Sequence, residues 1–411
     1  MSRAVESSPR AFRARYVFPV EGEPLRNGVV TIAGERILEV SRRAPSGTTD
    51  LGNVAILPGL VNAHTHLEYS GLPAPLGQPG EPFPRWLRQV IGMRRSGNIR
   101  PEWTGDGLQE AERTGTTTLG EIATSAWLSA VFDRSPLNTT VFYELLGLAE
   151  ERIEPGLAAA REHLAGPQSG RLARGLTPHA PYTVHPELFA RAVRLCSERR
   201  APLTFHLAES REELELLRTG GGPLVELFQE LEVWPPGVIP RGTRPLDYLR
   251  ILADAPRTLL AHGNYLDAEE VVFVAEHADR MSVVYCPRTH AYFSHAPHPL
   301  AVLIQAGASV AIGTDSRASN PDLCMLSELR LIAQRYPQLS GQVVLELGTL
   351  RGARALAQAA TAGSLGPGKY ADLAIVRLPE HDARDPHELL FDGELPVQGT
   401  IWHGEWVSGP C

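Results

Sequence analysis

A chain of 411 residues that is 43% apolar and 21% charged, with a net charge of −8, fits one large globular domain plus a smaller one; it lacks the basic surface that a nucleic-acid or anionic-membrane partner selects. No run of about eighteen apolar residues offers a membrane span, and the opening MSRAVESSPRAFRARY has no apolar stretch of the kind a secretion signal needs, so a cytoplasmic protein is expected. Cys196, Cys286, Cys324 and Cys411 form no CxxC pair, which predicts reduced thiols rather than a disulfide framework or a zinc–thiolate cluster.

In chain order, residues 1–57 read as strands. RNGVVTIAGERILEV alternates apolar and polar residues about the turn AGER, a hairpin signature. The next segment changes character. Short apolar strands, AILPGLVNAH, GTTTLGEI, TTVFYELLGL, RLARGLTPHA, PLTFHLAE, RTLLAHGN, SVVYCPRTH and SVAIGTDS, alternate with amphipathic stretches such as PELFARAVRLCSER and DAEEVVFVAEHADR. Eight β units separated by helices over roughly 300 residues predict an α/β fold of the (β/α)8 TIM-barrel type across residues 58–362. A doubly wound sheet is the rival, but no GxGxxG follows the first strand. GQPGEPFP, residues 77–84, is a Gly/Pro-rich loop long enough to form a lid or a pocket wall. Residues 363–411 return to strands, with KYADLAIVRL buried and GTIWHGEWVS turning at His403-Gly404. The two β-rich ends predict one small β-sandwich assembled from both termini.

Barrel active sites lie at the C-terminal ends of the strands, and there the ionisable residues collect. The first strand ends in His64-Thr65-His66, whose imidazoles share a face because alternate strand residues do. The fourth ends in His179, the fifth in His206 and Glu209, the sixth in His262 and the eighth in Asp315. A lone strand-end histidine is ordinarily structural, and a lone GTD is weak. Their joint placement on one rim carries the argument. Three neutral imidazoles and a carboxylate suit Zn²⁺ or Fe²⁺ with one position open for water, whose pKa such a metal lowers toward neutrality. Glu209, three residues past His206, is placed for proton transfer, as is His262.

LPGLVNAHTHLE, TPHAPYTV, FHLAES, LLAHGNYL, IGTDS and GSLGPGKYADLAIV resemble the amidohydrolase superfamily, specifically its nucleobase and nucleoside deaminase branch, from about residue 25 onward. The resemblance implies a metal-bearing (β/α)8 barrel with a terminal β-sandwich. It implies one divalent ion per chain, Zn²⁺ ahead of Fe²⁺, held by His64, His66, His206 and Asp315. Glu209 would shuttle protons, His262 and Asp315 would hold the attacking hydroxide, and His179 would contact substrate. Glu68, Trp86 and Ser316 join the substrate-binding set through the same motifs. Binuclear relatives usually bridge two metals with a fourth-strand lysine. Of the 39 basic residues here only Lys369 is a lysine, and it lies outside the barrel segment. Glu121 and Glu144 sit on strands and leave a carboxylate-bridged pair open, but one metal is expected.

Departures from the branch bear on substrate. Methylthioadenosine and adenosylhomocysteine deaminases place a ribose-directed Glu before the Trp that follows the first strand; Arg85 stands there, before Trp86. CPRTH, with Thr289 and His290, replaces CPxSN, and LEYS and GTDSRASN are similar to aminodeoxyfutalosine deaminases. Arg85 and Arg288 are either surface or ion-pair residues or a fork for a substrate carboxylate. His290, His295 and His298 in HAYFSHAPH are either a loop wall or a stacking surface for a planar base.

The function expected is metal-dependent hydrolytic deamination of a purine-like base or nucleoside, with aminodeoxyfutalosine as a candidate. The alternatives are deamination of adenosylhomocysteine or methylthioadenosine, hydrolysis of another C–N bond of amide or chlorotriazine type, and a barrel scaffold without chemistry. The partner expected is a small molecule, with no nucleic acid and no membrane; pairing as a homodimer is left open.

Overall fold

The computed structural model describes residues 8–124 and 127–409. Eight parallel strands form one sheet in sequential order: β1 (Leu60–Thr65), β2 (Thr116–Ala123), β3 (Asn138–Leu145), β4 (Leu172–Pro178), β5 (Leu203–Leu207), β6 (Thr258–His262), β7 (Met281–Tyr285) and β8 (Ser309–Ile312). Nearly every residue of these strands is buried, as expected where helices cover the outside and side chains fill the inside. The helix Pro186–Arg199 shows how the outer layer is built. Proline occupies its first turn and Arg200, at φ 52°, ends it, while Leu188, Phe189, Ala192, Val193 and Cys196 form the buried stripe.

The sheet closes on itself between β8 and β1. The Asp315 N–H donates to the His64 carbonyl at 3.0 Å, and the Thr65 hydroxyl donates to the Asp315 carbonyl at 3.2 Å. Closure leaves no room at Gly313, where an added Cβ would lie 2.6 Å from His64 O and 2.8 Å from His64 N. Gly313→Ala is therefore expected to force the seam apart and cost about 1–3 kcal/mol, the usual effect of overpacking. A denaturant titration checks this by a lowered midpoint at unchanged slope.

Two further sheets come from the chain ends. One runs Arg36–Ser41, Val29–Ala33, Arg10–Arg13, Thr49–Asp50; the other runs Glu405–Ser408, Val397–Trp402, Leu373–Arg377, Val54–Pro58, Tyr16–Val17, Leu25–Arg26. Leu373–Arg377 pairs antiparallel with Val54–Pro58, so the two ends of the chain share a sheet. Phe12, Val30, Ile32 and Ile37 from the first sheet pack with Val17, Ile56, Leu373, Ile375 and Ile401 from the second in a core of their own. The segment AILPGLVNAH, expected as one strand, is two. Val54–Pro58 belongs to the terminal sheet and Leu60–Thr65 to the barrel. Gly59 makes the break, passing so close to Thr117 that a Cβ would meet its hydroxyl at 2.1 Å. No helix among the described residues is long and apolar enough to cross a membrane.

Candidate active site

The C-terminal rim of the barrel holds a cavity of about 350 Å³, lined by His66, His179, His206, Glu209, His262 and Asp315 on its floor. Its wall is apolar. The helix Phe83–Arg95 contributes Phe83, Trp86, Leu87, Val90 and Ile91, and Tyr182 and Phe228 complete the wall. A concave, mostly apolar site with a few converging polar groups is the usual form of a small-molecule pocket.

β1 and β5 bring His64, His66 and His206 together, with one ring nitrogen from each lying within 4.8 Å of the others. Asp315 completes the group; its Oδ1 is 3.9 Å from His64 Nε2 and 3.7 Å from His66 Nε2. The chemistry of this donor set fits a divalent cation. Both His64 nitrogens and His66 Nδ1 are buried without any hydrogen-bond partner, a costly arrangement for groups that are not ligands. Burial and neighbouring imidazoles hold all three rings well below the ordinary histidine pKa, so they present lone pairs. His206 Nδ1 faces the His179 carbonyl at 3.0 Å, which places its proton there and leaves Nε2 free to coordinate.

Glu209 and His262 form a second pair beside this group, with His262 Nε2 3.4 Å from Glu209 Oε1. Tyr182 donates to Glu209 Oε2 at 3.2 Å, and Asn264 donates to the Glu209 carbonyl at 2.9 Å. Burial first, then the Asp315 and Glu213 carboxylates, push the Glu209 carboxyl well above its usual range. The helix that follows, Arg211–Thr219, does not use Glu209 as its cap. Ser210 accepts from the Glu213 N–H at 3.1 Å, and Glu213 reaches back to the Ala208 and Glu209 N–H groups at 2.8 Å each. Glu209 is left free to face the cavity.

Asp315 is fixed by the Ser316 N–H at 2.8 Å and the Ser319 hydroxyl at 3.3 Å; burial raises its carboxyl to about 7. Both His262, at φ 72°, and Asp315, at φ 59°, occupy the left-handed region. Such backbone is unusual for non-glycine residues and concentrates at functional sites.

His179 stacks on His206 with ring centroids 4.5 Å apart and bonds Thr183 through Nδ1 at 2.9 Å. Trp86 donates to the Ala318 carbonyl at 2.9 Å while its ring faces the cavity, and Ser316 also lines it. Glu68 stands behind the wall, where it holds Arg94 at 2.6 Å.

Glu68 therefore does not line the cavity, and three further expected site residues are also placed elsewhere. Arg85 is exposed, because the helix that turns Phe83, Trp86, Leu87 and Val90 inward turns position 85 outward. The Arg288 guanidinium is committed to Asp322, at 2.5 and 3.0 Å, so it is an ion-pair residue and not a substrate fork. His290 does not line the cavity; its Nε2 faces the Ala296 carbonyl at 2.9 Å in a buried cluster. Glu144 pairs with Arg94 at 2.9 Å and Glu121 accepts from the Leu67 N–H at 3.1 Å, so neither joins the histidine group. Among the described residues, no second cluster has metal-ligand spacing.

Sequence reasoning passed over Arg94, a cation on the inner wall that is clamped by Glu68 and Glu144. It also passed over Tyr182, although this residue stands inside the quoted stretch TPHAPYTV.

Residues 55–407 match the amidohydrolase family. The chain belongs to the amidohydrolase family. A 5-methylthioadenosine/S-adenosylhomocysteine deaminase of Moorella thermoacetica is 31% identical over 395 residues, spanning 90% of this chain and 85% of the relative. An aminodeoxyfutalosine deaminase of Deinococcus radiodurans is 31% identical over 357 residues, spanning 80% of this chain and 81% of the relative. A zinc-bound adenosine deaminase of Xanthomonas campestris has the same fold, with a TM-score of 0.81 at 28% identity over 97% of this chain and 93% of that one. This amidohydrolase is thus an enzyme of the hydrolase class that acts on non-peptide C–N bonds, and these relatives are deaminases.

Proposed function

We propose that this amidohydrolase is a metal-dependent hydrolytic deaminase of adenosine-like nucleosides, replacing the exocyclic amine by oxygen and releasing ammonia. The observation that carries the reading is the pairing of Glu209 with His262 beside the His64, His66, His206 and Asp315 group. Those four residues would hold one Zn²⁺ or Fe²⁺. When bound, the cation acidifies water toward neutrality and so supplies a nucleophile at physiological pH.

The protein's own groups do the rest. The apolar wall of Phe83, Trp86 and Val90 excludes bulk water and seats the planar base. Glu209, whose carboxyl burial pushes up and so favours in its acid form, gives its proton to the ring nitrogen adjacent to the amine-bearing carbon as water adds there. Asp315 takes the proton lost by the water and delivers it to the departing amine. His262 Nε2, 3.4 Å from Glu209, orients the incoming oxygen. As the carbonyl forms, the proton of the added hydroxyl returns to Glu209, so one water is consumed, one ammonia leaves and both carboxyl groups are restored. On the far wall Arg94 makes three hydrogen bonds to Glu68 and Glu144 and has two N–H bonds to spare. Its charge is already matched by these carboxylates, which suits sugar hydroxyls better than a substrate carboxylate.

Arg85 faces solvent and gives no ground for preferring a carboxylated substrate. The nucleoside is therefore decided by assay. The zinc-loaded protein is incubated with methylthioadenosine, adenosylhomocysteine, 5′-deoxyadenosine, adenosine, aminodeoxyfutalosine and, for comparison, free adenine, and ammonia is measured. Turnover of at least one of these adenine nucleosides, with free adenine a poor substrate, is the expected result. Ammonia from none of them, by a protein with its full complement of metal, would overturn the reading.

A further inference from the structure

The segment Pro297-His298-Pro299 lies outside the cavity, and the reaction above does not use it. His298 is nevertheless buried directly behind His262. Its Nε2 lies 2.9 Å from the His262 carbonyl oxygen. A carbonyl can only accept, so His298 carries its proton on Nε2. Nδ1 is then a lone pair, and it has no partner although it is buried. A buried acceptor left unmatched is destabilising. An apolar side chain of similar size would avoid that cost, so stability alone does not account for a histidine here.

The ring is held from several sides. It stacks on Tyr285, the last residue of β7, with centroids 3.9 Å apart and planes 23° from parallel. Its backbone carbonyl accepts from the Tyr336 hydroxyl at 3.2 Å. Proline on each side restricts the backbone of the tripeptide. Burial lowers its pKa to about 3, so it stays a neutral single donor over the working range.

What it holds is a residue under backbone strain. His262 has φ 72° and is followed by Gly263 at φ 60°. A left-handed conformation is unfavourable for a non-glycine residue and persists only where the surroundings impose it. We propose that His298 is a positioning residue for His262: its Nε2–H fixes the His262 carbonyl, and with it the left-handed turn that aims the His262 ring at Glu209. The role rests on the catalytic reading of His262 given above.

The test compares two replacements in the metal-loaded enzyme. His298→Gln keeps an N–H near the position of Nε2, whereas His298→Leu fills similar space without a donor; His298→Met, a flexible apolar chain, is used where the leucine variant does not fold. The apolar variant is expected to lose about 10–100-fold in kcat, the range open to small misplacements of a catalytic group. KM, metal content and the Co²⁺ absorption spectrum of the cobalt-loaded form should stay near wild type. The glutamine variant should recover most of the loss. Crystal structures of both variants give a readout independent of turnover: His262 keeps its positive φ in the glutamine variant and leaves it in the apolar one. Wild-type kcat and an unmoved His262 in the apolar variant would overturn the proposal, as would a glutamine variant no better than the apolar one. A wild-type enzyme that deaminates no nucleoside would overturn the function instead, and the crystallographic comparison would still decide the role of His298.

Discussion

Replacing Glu209 by glutamine is expected to leave metal content near the wild-type level and to lower the turnover number by about 10²–10⁴, the usual contribution of general acid–base catalysis. Glutamine keeps the size of the side chain and can still accept from Tyr182 and face His262. It cannot give up and regain a proton. The competing account, in which Glu209 merely caps the helix that follows, predicts a stability loss of about 1–2 kcal/mol and nearly normal turnover. The geometry already disfavours it, since Ser210 and Glu213 provide the capping bonds. Metal content, melting temperature and turnover measured on one preparation separate the two accounts. Full turnover in the glutamine variant would transfer the proton step to His262, the next ionisable group at 3.4 Å.

Removing a member of the histidine group should behave differently. His206→Ala is expected to lower bound metal and activity in parallel, by more than the roughly 10–100-fold that loss of an outer partner of a ligand costs. His206 is anchored from behind by the His179 carbonyl and beside by the stacked His179 ring. Its loss therefore removes a donor and loosens a cavity residue together. Elemental analysis after dialysis, set against activity at increasing added zinc, checks this. Activity that returns with zinc, at much higher concentration than the wild type needs, is the expected pattern. Unchanged metal content in the alanine variant would remove His206 from the ligand group.

The contrast between these variants reflects what the chain displays openly. The group on the rim was legible because strand geometry is local: an HxH pair on a strand must share a face, and strand ends in a barrel share a rim. The two-ended β-sandwich was legible for a similar reason, since alternating patterns at both termini have nowhere else to pair. What the sequence conceals is the phase of a helix against the barrel. Arg85 and Arg94 stand on the same helix, and a residue count from the neighbouring Trp86 favours the first. The apolar positions 83, 86, 87, 90 and 91 define the inward face instead, and 94 continues it at i+4 from 90 and i+3 from 91. Backbone partners are equally hidden. Nothing in PRTHAYFSHAPH distinguishes His290, bonded to the Ala296 carbonyl, from His298, bonded to that of His262. Gly59 reads as part of a single apolar strand until its contact with Thr117 shows why the chain must change sheets there.

The most direct test of the whole account is a single turnover in oxygen-18 water. The metal-loaded enzyme is mixed with the best nucleoside from the panel, ammonia is quantified and the product is weighed by mass spectrometry. Hydrolytic deamination predicts one ammonia per nucleoside consumed, an intact sugar–base bond, and one oxygen-18 atom on the ring carbon that carried the amine. Release of free adenine, an opened ring, or a product without solvent oxygen at that carbon would contradict it.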